Sequence, residues 1–294
     1  MRVFVTGATG FIGNQVVQTL LAAGHDVLGL ARSEAGARSL AASGAAVQRG
    51  TLEDLDSLRA GAAAADAVIH LAFVHDWSHF AESCAIDRRA IEAMGAVLAG
   101  SDKLLIVTSG AAGLTGPDRV ATEDDDVPPD YALPRVSEQV ALALPGVRAS
   151  VVRLPQVHDT VKQGLITYVV QTARETGVSA YAGDGRNRWA AAHVSDVARL
   201  YRLALERNEA GARYHAVAEE GVPMRDIAEA IGRSLHVPVA SFSTAEANAH
   251  FGWLGMFAGL NLVASSEKTR QALGWTPTGP GLIADLERLE VPAA

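Results

Sequence analysis

Three glycines near the start of the chain stand where the backbone could hold phosphate groups. Gly7, Gly10 and Gly13 follow the strand-like run Arg2–Thr6 and open an amphipathic segment. Glycine permits a tight turn at the first position, close approach of a diphosphate at the second, and close helix–strand packing at the third. The first turn of such a helix offers unpaired N–H groups and a partial positive charge. The spacing therefore predicts a dinucleotide site, with a purely structural glycine turn as the alternative.

The residues after the second predicted strand bear on which dinucleotide is bound. A strand over Asp26–Ala31 is followed by Arg32 and Ser33. A site for NAD usually ends this strand with Asp or Glu, which binds the ribose hydroxyls. A guanidinium and a hydroxyl suit a 2′-phosphate instead. The sequence thus favours NADP(H), with NAD(H) as the alternative in which Arg32 is a solvated charge and Glu34 binds the ribose.

Two other groups of residues have the types needed for metal or hydrolytic chemistry. His75 and His79 have the spacing of one helix face, but no third ligand lies near them in the sequence. We therefore expect pocket-lining or surface roles and no metal site. Ser109, His193 and Asp196 include the residue types of a hydrolase triad, but the sequence has no G-x-S-x-G elbow. We expect His193 to cap a helix or bind backbone instead.

Composition and charge narrow the class of protein. The 294 residues are 49% hydrophobic and 20% charged, which is ordinary for a globular protein. The net charge of −8, without a basic run, argues against nucleic acid as a partner. The single cysteine, Cys84, excludes an internal disulfide and fits a reducing compartment. With no signal peptide and no apolar stretch long enough for a bilayer, the sequence predicts a cytoplasmic protein without membrane contact.

Predicted strands and helices alternate along the first half of the chain. The strands lie at 2–6, 26–31, 46–48, 67–73, 103–108 and 149–154, and later helices at 86–98 and 135–144. This alternation predicts an α/β fold with a doubly wound parallel sheet, of the Rossmann type. After Pro155 helices dominate, at 164–176, 194–207 and 224–235. We predict a dinucleotide-binding domain over 1–155, to which later segments return, and a smaller, mostly helical substrate lobe over 156–294.

Five stretches resemble motifs of the extended short-chain dehydrogenase/reductase family. They are Thr6–Gly13, His70–Ala72, Arg153–His158, His193–Ala198 and Leu273–Pro277, and they span nearly the whole chain. The resemblance implies a bound pyridine dinucleotide and an oxidoreductase activity. Carried over residue by residue, it implies that the cofactor contacts Gly7, Thr9, Gly10, Phe11, Ile12, Gly13, Arg32, Ser33, Leu52, Leu71, Ala72, Phe73, Ser109, Arg135, Pro155 and Val157.

The proton-transfer residues of that family are only partly matched. The family pattern is a Ser with a Y-x-x-x-K pair, in which Tyr donates a proton, Lys lowers its pKa, and Ser orients the carbonyl. Here Ser109 stands near the serine position, and Tyr131 with Arg135 gives Y-x-x-x-R. Arg135 could bind ribose and lower the pKa of Tyr131, but it cannot pass protons as Lys does. Tyr131 is thus either the acid or a loop aromatic, and Asp87 stands where the assisting Asn would lie.

These features together predict an NADPH-dependent reductase. Its substrate would be a carbonyl or other polarised double bond in a small organic molecule, entering near His75, Trp77, Tyr168 and Trp189. The first alternative is a nucleotide-sugar epimerase or dehydratase with bound NAD, in which Arg186 and Arg188 would hold a diphosphate. The second is a dinucleotide-sensing protein without turnover, since the pattern resembles atypical family members. The resemblance also implies a homodimer through the helices at 86–98 and 135–144.

Overall fold

The computed structural model describes residues 1–111, 113–116, 119–128 and 135–290. Within these ranges the strands are β1 (Arg2–Thr6), β2 (Asp26–Ala31), β3 (Ala46–Arg49), β4 (Ala67–His70), β5 (Leu104–Gly110), β6 (Arg148–Leu154), β7 (Gln156–His158), β8 (Ser179–Ala182), β9 (Arg188–His193), β10 (Arg213–His215), β11 (Glu219–Pro223) and β12 (Val239–Phe242).

Helices connect and flank these strands. They are α1 (Phe11–Ala22), α2 (Glu34–Ala42), α3 (Leu55–Ala63), α4 (Phe80–Leu98), α5 (Ser137–Ala143), α6 (Ile166–Thr176), α7 (Val194–Arg207), α8 (Met224–Leu235), α9 (Thr244–Phe251), α10 (Gly255–Ala258), α11 (Glu267–Leu273) and α12 (Leu282–Leu286), with a 3₁₀ turn at Gly252–Leu254.

The larger sheet has seven parallel strands in the order β10-β6-β5-β4-β1-β2-β3. The chain therefore starts in the middle of the sheet and reverses direction between β1 and β4, which is where doubly wound sheets bind ligands. Alternate residues of each strand face opposite layers: Val3 and Val5 pack with α1 and α7, whereas Phe4 packs with α3 and α4. The predicted doubly wound α/β fold is confirmed.

A second lobe is built around two small sheets. The order β11-β9-β7 forms one and β12-β8 the other, and helices α6, α8 and α9 cover them. Its core includes Trp189, Ile227, Phe251 and Leu254. The later part of the chain also returns to the first lobe, because α7 packs on α1 and β10 extends the large sheet beside β6.

Several element boundaries differ from the predicted ones. Strand β4 ends at His70 instead of residue 73, because its pairing with β1 and β5 stops at that residue. Helix α4 begins at Phe80, six residues before the predicted start at Ile86. Helix α5 begins at Ser137, two residues after the predicted start. In the described ranges, no helix combines the length and apolar character needed to cross a bilayer.

Candidate active site

The glycine turn between β1 and α1 forms a cradle with no room for side chains. Gly7 has φ +68°, and a Cβ there would lie 2.8 Å from the backbone N of Ala72. A Cβ on Gly13 would lie 2.0 Å from the carbonyl oxygen of Gly7. The first bond within the helix runs from Asn14 N to Gly10 O at 2.9 Å, so the preceding N–H groups at the start of α1 remain available to an anion. This geometry fits the diphosphate of a dinucleotide.

A cleft of ≈ 880 Å³ runs from this turn along the carboxyl ends of the strands to the second lobe. Most residues predicted to hold the cofactor line it, namely Gly7, Thr9, Gly10, Phe11, Ile12, Gly13, Arg32, Leu52, Leu71, Ala72, Phe73, Pro155 and Val157. His75, predicted to contact substrate, lines it as well. The cleft is thus continuous from the phosphate cradle to the second lobe.

The adenosine end of the cleft holds the basic residue that the sequence singled out. Arg32 lines the cleft, while Ser33 caps α2, its Oγ accepting a hydrogen bond from Gly36 N at 3.1 Å. The carboxylate of Glu34 faces Arg49 at 3.6 Å and lies outside the set of described residues that line the cleft. This arrangement therefore does not favour ribose binding by Glu34.

At the other end, Arg135 is held beside the end of β5. Its Nη2 donates to the carbonyl oxygen of Thr108 at 3.0 Å, which places it next to half-buried Ser109. Its guanidinium lies 4.3 Å from the ring centroid of Phe73, whose ring lines the cleft. Neither Arg135 nor Ser109 is among the described residues that line the cleft. Tyr131 lies outside the described residues.

A buried chain of hydrogen bonds orients Arg135. Arg135 Nε donates to Ser137 Oγ at 3.0 Å, and the Ser137 hydroxyl donates to Asp87 Oδ2 at 2.5 Å. The other carboxylate oxygen of Asp87 lies 3.2 Å from His70 Nε2, and His70 Nδ1 lies 2.7 Å from Thr6 Oγ1. Asp87, expected in the place of an assisting Asn, instead lies buried behind the cleft wall and links the glycine strand to Arg135.

The tautomer of His70 follows from its neighbours. The Oγ1 of Thr6 accepts from the backbone N–H groups of Leu71 and Ala72, each at 3.2 Å, so its own proton points to His70 Nδ1. His70 therefore carries its proton on Nε2 and donates it to Asp87. Burial raises the pKa of Asp87, but the hydrogen bond from His70, the charge of Arg135 and the Ser137 hydroxyl outweigh burial and leave this pKa below its usual value. An ionised Asp87 thus stands behind Arg135.

Aromatic side chains from both lobes meet beside the outer half of the cleft. Trp77 stacks on Phe80 with ring centroids 5.0 Å apart, and on Trp253 with centroids 4.5 Å apart. Tyr168 of α6 meets Trp253 edge-on at 5.1 Å. His75 lies 6.5 Å from Trp77, and the cleft walls around it together with Arg135 hold its pKa below the usual value. The structure therefore brings together three of the four predicted substrate residues, His75, Trp77 and Tyr168.

The fourth predicted substrate residue, Trp189, has a structural role instead. It is fully buried in the core of the second lobe, and its Nε1 donates to the carbonyl oxygen of Leu260 at 3.1 Å. The helical spacing assumed for His75 and His79 is also wrong, because α4 begins only after both. His79 pairs with Asp76 at 3.1 Å, and the described residues contain no group of three or more side chains suited to a metal.

Two further residues, His193 and Lys162, have positions that the structure defines. His193 caps α7, since its ring accepts from Ser195 N, as the sequence analysis expected. Lys162 lines the cleft from the second lobe, on a turn that Asp159 closes through hydrogen bonds to two backbone N–H groups. The sequence carried no local signal for Lys162. Trp253 lies in the apolar, glycine-containing stretch Phe251–Leu260, for which the sequence predicts a lid, a subunit contact or plain core.

Comparison with known proteins agrees with this geometry. The model of the NAD-dependent epimerase/dehydratase family matches residues 3–218. An uncharacterized protein of Schizosaccharomyces pombe is 48% identical over 289 residues, covering 97% of this chain and 98% of the relative. A 4-hydroxy-2-methyl-3-oxo-4-farnesyl-3,4-dihydroquinoline-1-oxide ketoreductase of Stigmatella aurantiaca is 27% identical over 269 residues, covering 86% and 80%. A dTDP-glucose 4,6-dehydratase of Streptomyces venezuelae, solved with NAD, superposes with a TM-score of 0.78 at 21% identity, covering 98% and 95%, which shows the shared fold.

Proposed function

Because the chain belongs to the NAD-dependent epimerase/dehydratase family, we propose that it is an NADPH-dependent reductase of a carbonyl or other polarised double bond in a small organic molecule. The observation that carries this proposal is the cleft that runs from the glycine cradle and Arg32 to Phe73 and His75, beside which Trp77 stacks on Trp253. Such a cleft can hold a dinucleotide and an apolar substrate end to end.

The electrostatics of the adenosine end support NADPH over NADH. Arg32 has no ion-pair partner in the part of the chain that the structure describes, and it faces the cleft. The nearby Glu34 is turned toward Arg49 and Arg38, at 3.6 and 3.9 Å. A 2′-phosphate would therefore meet an unpaired guanidinium with Glu34 turned away, and the acidic residues among the described lining of the cleft are Glu53 and Asp76.

The proposed reaction adds a hydride to the carbon and a proton to the oxygen of the substrate double bond. Gly7, Gly10 and Gly13 would hold the diphosphate, and Pro155 and Val157 would lie along the nicotinamide. The reduced nicotinamide supplies the hydride when bound. Tyr131 is the proposed proton donor, with Arg135, fixed on Thr108 and Ser137, lowering its pKa by electrostatic attraction to the phenolate. Ser109 beside Arg135 would orient the substrate oxygen.

Two features favour a reductase over an enzyme acting on nucleotide sugars. Arg186, one of the two residues considered for a sugar diphosphate, has a side chain that is 88% exposed and pairs with Asp184 at 3.3 Å, and neither Arg186 nor Arg188 belongs to the described lining of the cleft. The myxobacterial relative is, by its name, a ketoreductase acting on a ring compound. The cytoplasmic location and the homodimer through α4 and α5 stay predictions.

Turnover of reduced coenzyme tests this proposal. Purified protein should consume NADPH with at least one member of a panel of aldehydes, ketones, enones and imines, followed by the loss of nicotinamide absorbance. NADPH should also raise the melting temperature, and Gly13→Val should abolish both effects, because a side chain there collides with Gly7. Binding without consumption would indicate a sensor, and NAD retained through purification would indicate an epimerase or dehydratase.

A further inference from the structure

The aromatic residues beside the cleft form one continuous stack drawn from separate parts of the chain. Phe80, Trp77 and Trp253 lie nearly parallel, with interplanar angles of 18° and 19° between neighbours, and Tyr168 covers Trp253 edge-on. We name these four residues the aromatic clasp. The clasp abuts the cleft, because Phe80 lies 5.8 Å from Phe73, which lines it.

The part of the clasp that can move is the exposed Trp253 side chain. Within the described residues, no hydrogen bond or ion pair joins segment 71–80 to segment 252–258, so ring contacts alone hold the two together. Trp253 is 40% exposed, whereas Leu254, Phe257 and Ala258 of the same segment are buried in the core of the second lobe. The clasp therefore opens by rotation of the Trp253 side chain, while the backbone of segment 252–258 stays in place.

The closed clasp leaves one polar group unsatisfied. Trp77 Nε1 is buried, and it has no hydrogen-bond partner among the residues that the structure describes. A buried donor without an acceptor is unfavourable, so a molecule that brings an acceptor to this nitrogen would gain from it. The indole faces at the same place offer flat, uncharged contact area.

Charge at this end of the cleft argues for an uncharged ring. Asp76 is engaged by Ser78 Oγ at 2.5 Å and by His79 at 3.1 Å. These hydrogen bonds, led by the Ser78 hydroxyl, lower the pKa of Asp76 to about 2, so the side chain is anionic and already paired. The lowered pKa of His75 leaves its ring neutral at pH 7. The clasp itself contains no charged side chain.

We propose that the clasp takes the flat ring of an uncharged aromatic or conjugated-ring aldehyde or ketone, which slides between Trp77 and Trp253. This deepens the reductase proposal and rests on it for the carbonyl. The ring specificity itself rests on the clasp alone. The clasp thereby selects substrates by planarity, and an aliphatic ring of the same size fits it poorly.

Matched pairs of compounds measure ring binding by the clasp separately from reduction of the carbonyl. Benzamide and cyclohexanecarboxamide, which are unreactive, measure ring binding through tryptophan fluorescence. Benzaldehyde and cyclohexanecarbaldehyde measure reduction through NADPH consumption. We expect the planar member of each pair to be preferred about tenfold, in binding and in kcat/KM respectively. Preference in the amide pair without consumption of either aldehyde would overturn the reductase proposal and leave the clasp standing.

Substitutions in the clasp complete the test. Trp253→Leu should reduce the preference for the planar amide to near unity, Trp253→Phe should retain most of it, and Met256→Ala is the control. Met256 lies on the same segment and is 60% exposed, outside the stack. Equal binding of the two amides by the wild-type protein, or an unchanged preference in Trp253→Leu, would overturn the clasp.

Discussion

Arg32 is the residue on which the proposed preference for NADPH depends. The side chain is exposed to the cleft, and the carboxylate of Glu34, two residues later, is drawn away by Arg49 and Arg38. Arg49 is itself fixed, because its Nη1 donates to the carbonyl oxygen of Ser33 at 2.7 Å. Glu34 is thus paired with other arginines, whereas Arg32 has no ion-pair partner among the described residues.

Substitution of Arg32 should therefore affect one coenzyme selectively. We expect Arg32→Ala to weaken NADPH binding by roughly tenfold or more, since a charge-assisted phosphate contact is lost, and to leave NADH binding nearly unchanged. Coenzyme titrations followed by protein fluorescence give both dissociation constants. Arg38→Ala is the matched control, because Arg38 is an exposed neighbour on α2 whose ion-pair partner among the described residues is Glu34. Equal weakening of both coenzymes by Arg32→Ala would contradict the assignment.

The residues that the sequence identified well are those whose role is set locally. Gly7 and Gly13 are needed because the turn itself leaves no space for a Cβ, and the pattern of neighbouring residues makes that visible. Lys162 lines the cleft from the second lobe and Trp253 stacks on Trp77 beside the cleft, so no spacing within the first lobe points to them. Trp189 was assigned to the substrate for its residue type, whereas its burial depends on contacts with residues more than 60 positions later.

At the scale of elements, helix α5 carries Arg135 into place through an anchor inside the protein. Glu138, in the first turn of α5, accepts from Arg153 Nε at 2.8 Å and Nη2 at 2.6 Å. The same carboxylate accepts from Arg213 Nε at 2.7 Å. Glu138 and Arg153 are almost completely buried, so α5 is tied to β6 and β10 by a desolvated ion pair. This tie fixes the start of α5, and with it the position of Arg135.

Removal of the Glu138 charge should destabilise the fold strongly. Glu138→Gln leaves the guanidinium of Arg153 buried without a counter-charge, for which we expect a loss of about 3 kcal/mol in the free energy of unfolding. Urea denaturation measures this loss. Glu209→Gln serves as the control, because Glu209 forms a half-exposed pair with Arg207 at 3.0 Å, and its loss should cost less than about 0.5 kcal/mol. Similar losses in the two variants would show that the buried pair does not anchor α5.

Helix boundaries were predictable where the helix carries its own end signals. Helices α7 and α8 have the predicted bounds, with His193 capping the start of α7 and Asn208 in a left-handed conformation at its end. Helix α4 begins earlier than predicted, at Phe80, whose ring packs on Phe73 and Trp77. That packing is tertiary, so the periodicity of the sequence alone could not reveal the additional turns.

At the scale of the whole molecule, a buried histidine joins segments that are far apart in the chain. His158 of β7 donates from Nδ1 to Asp285 of α12 at 2.7 Å, and the ring of His193 meets it edge-on at 5.7 Å. The Glu219 carboxylate lies 3.9 Å from His158 Nε2 and also accepts from Leu282 N at 2.7 Å. His158 is fully buried, so its protonation state is coupled to the folding of the second lobe.

The protonation of His158 should make stability depend on pH in a defined direction. Burial lowers the pKa of His158 below 6.5, and this effect outweighs the opposing influence of Asp285 and Glu219. The unfolded chain, in which the pKa stays near 6.5, therefore binds more protons below that pH than the folded chain does. Stability contributed by neutral His158 is present above pH 6.5 and is lost as the pH falls toward the folded-state pKa.

Denaturant titrations from pH 7 down to pH 5 measure this effect. We expect the free energy of unfolding to fall with a slope approaching 1.4 kcal/mol per pH unit for each such histidine, and His215, whose pKa burial also lowers, adds to it. His158→Gln should be less stable at pH 7 but should show a shallower slope, because one titrating group has been removed. His79→Gln, at an exposed position, should keep the wild-type slope. A slope unchanged by His158→Gln would mean that this histidine is protonated in the folded protein, held so by Asp285.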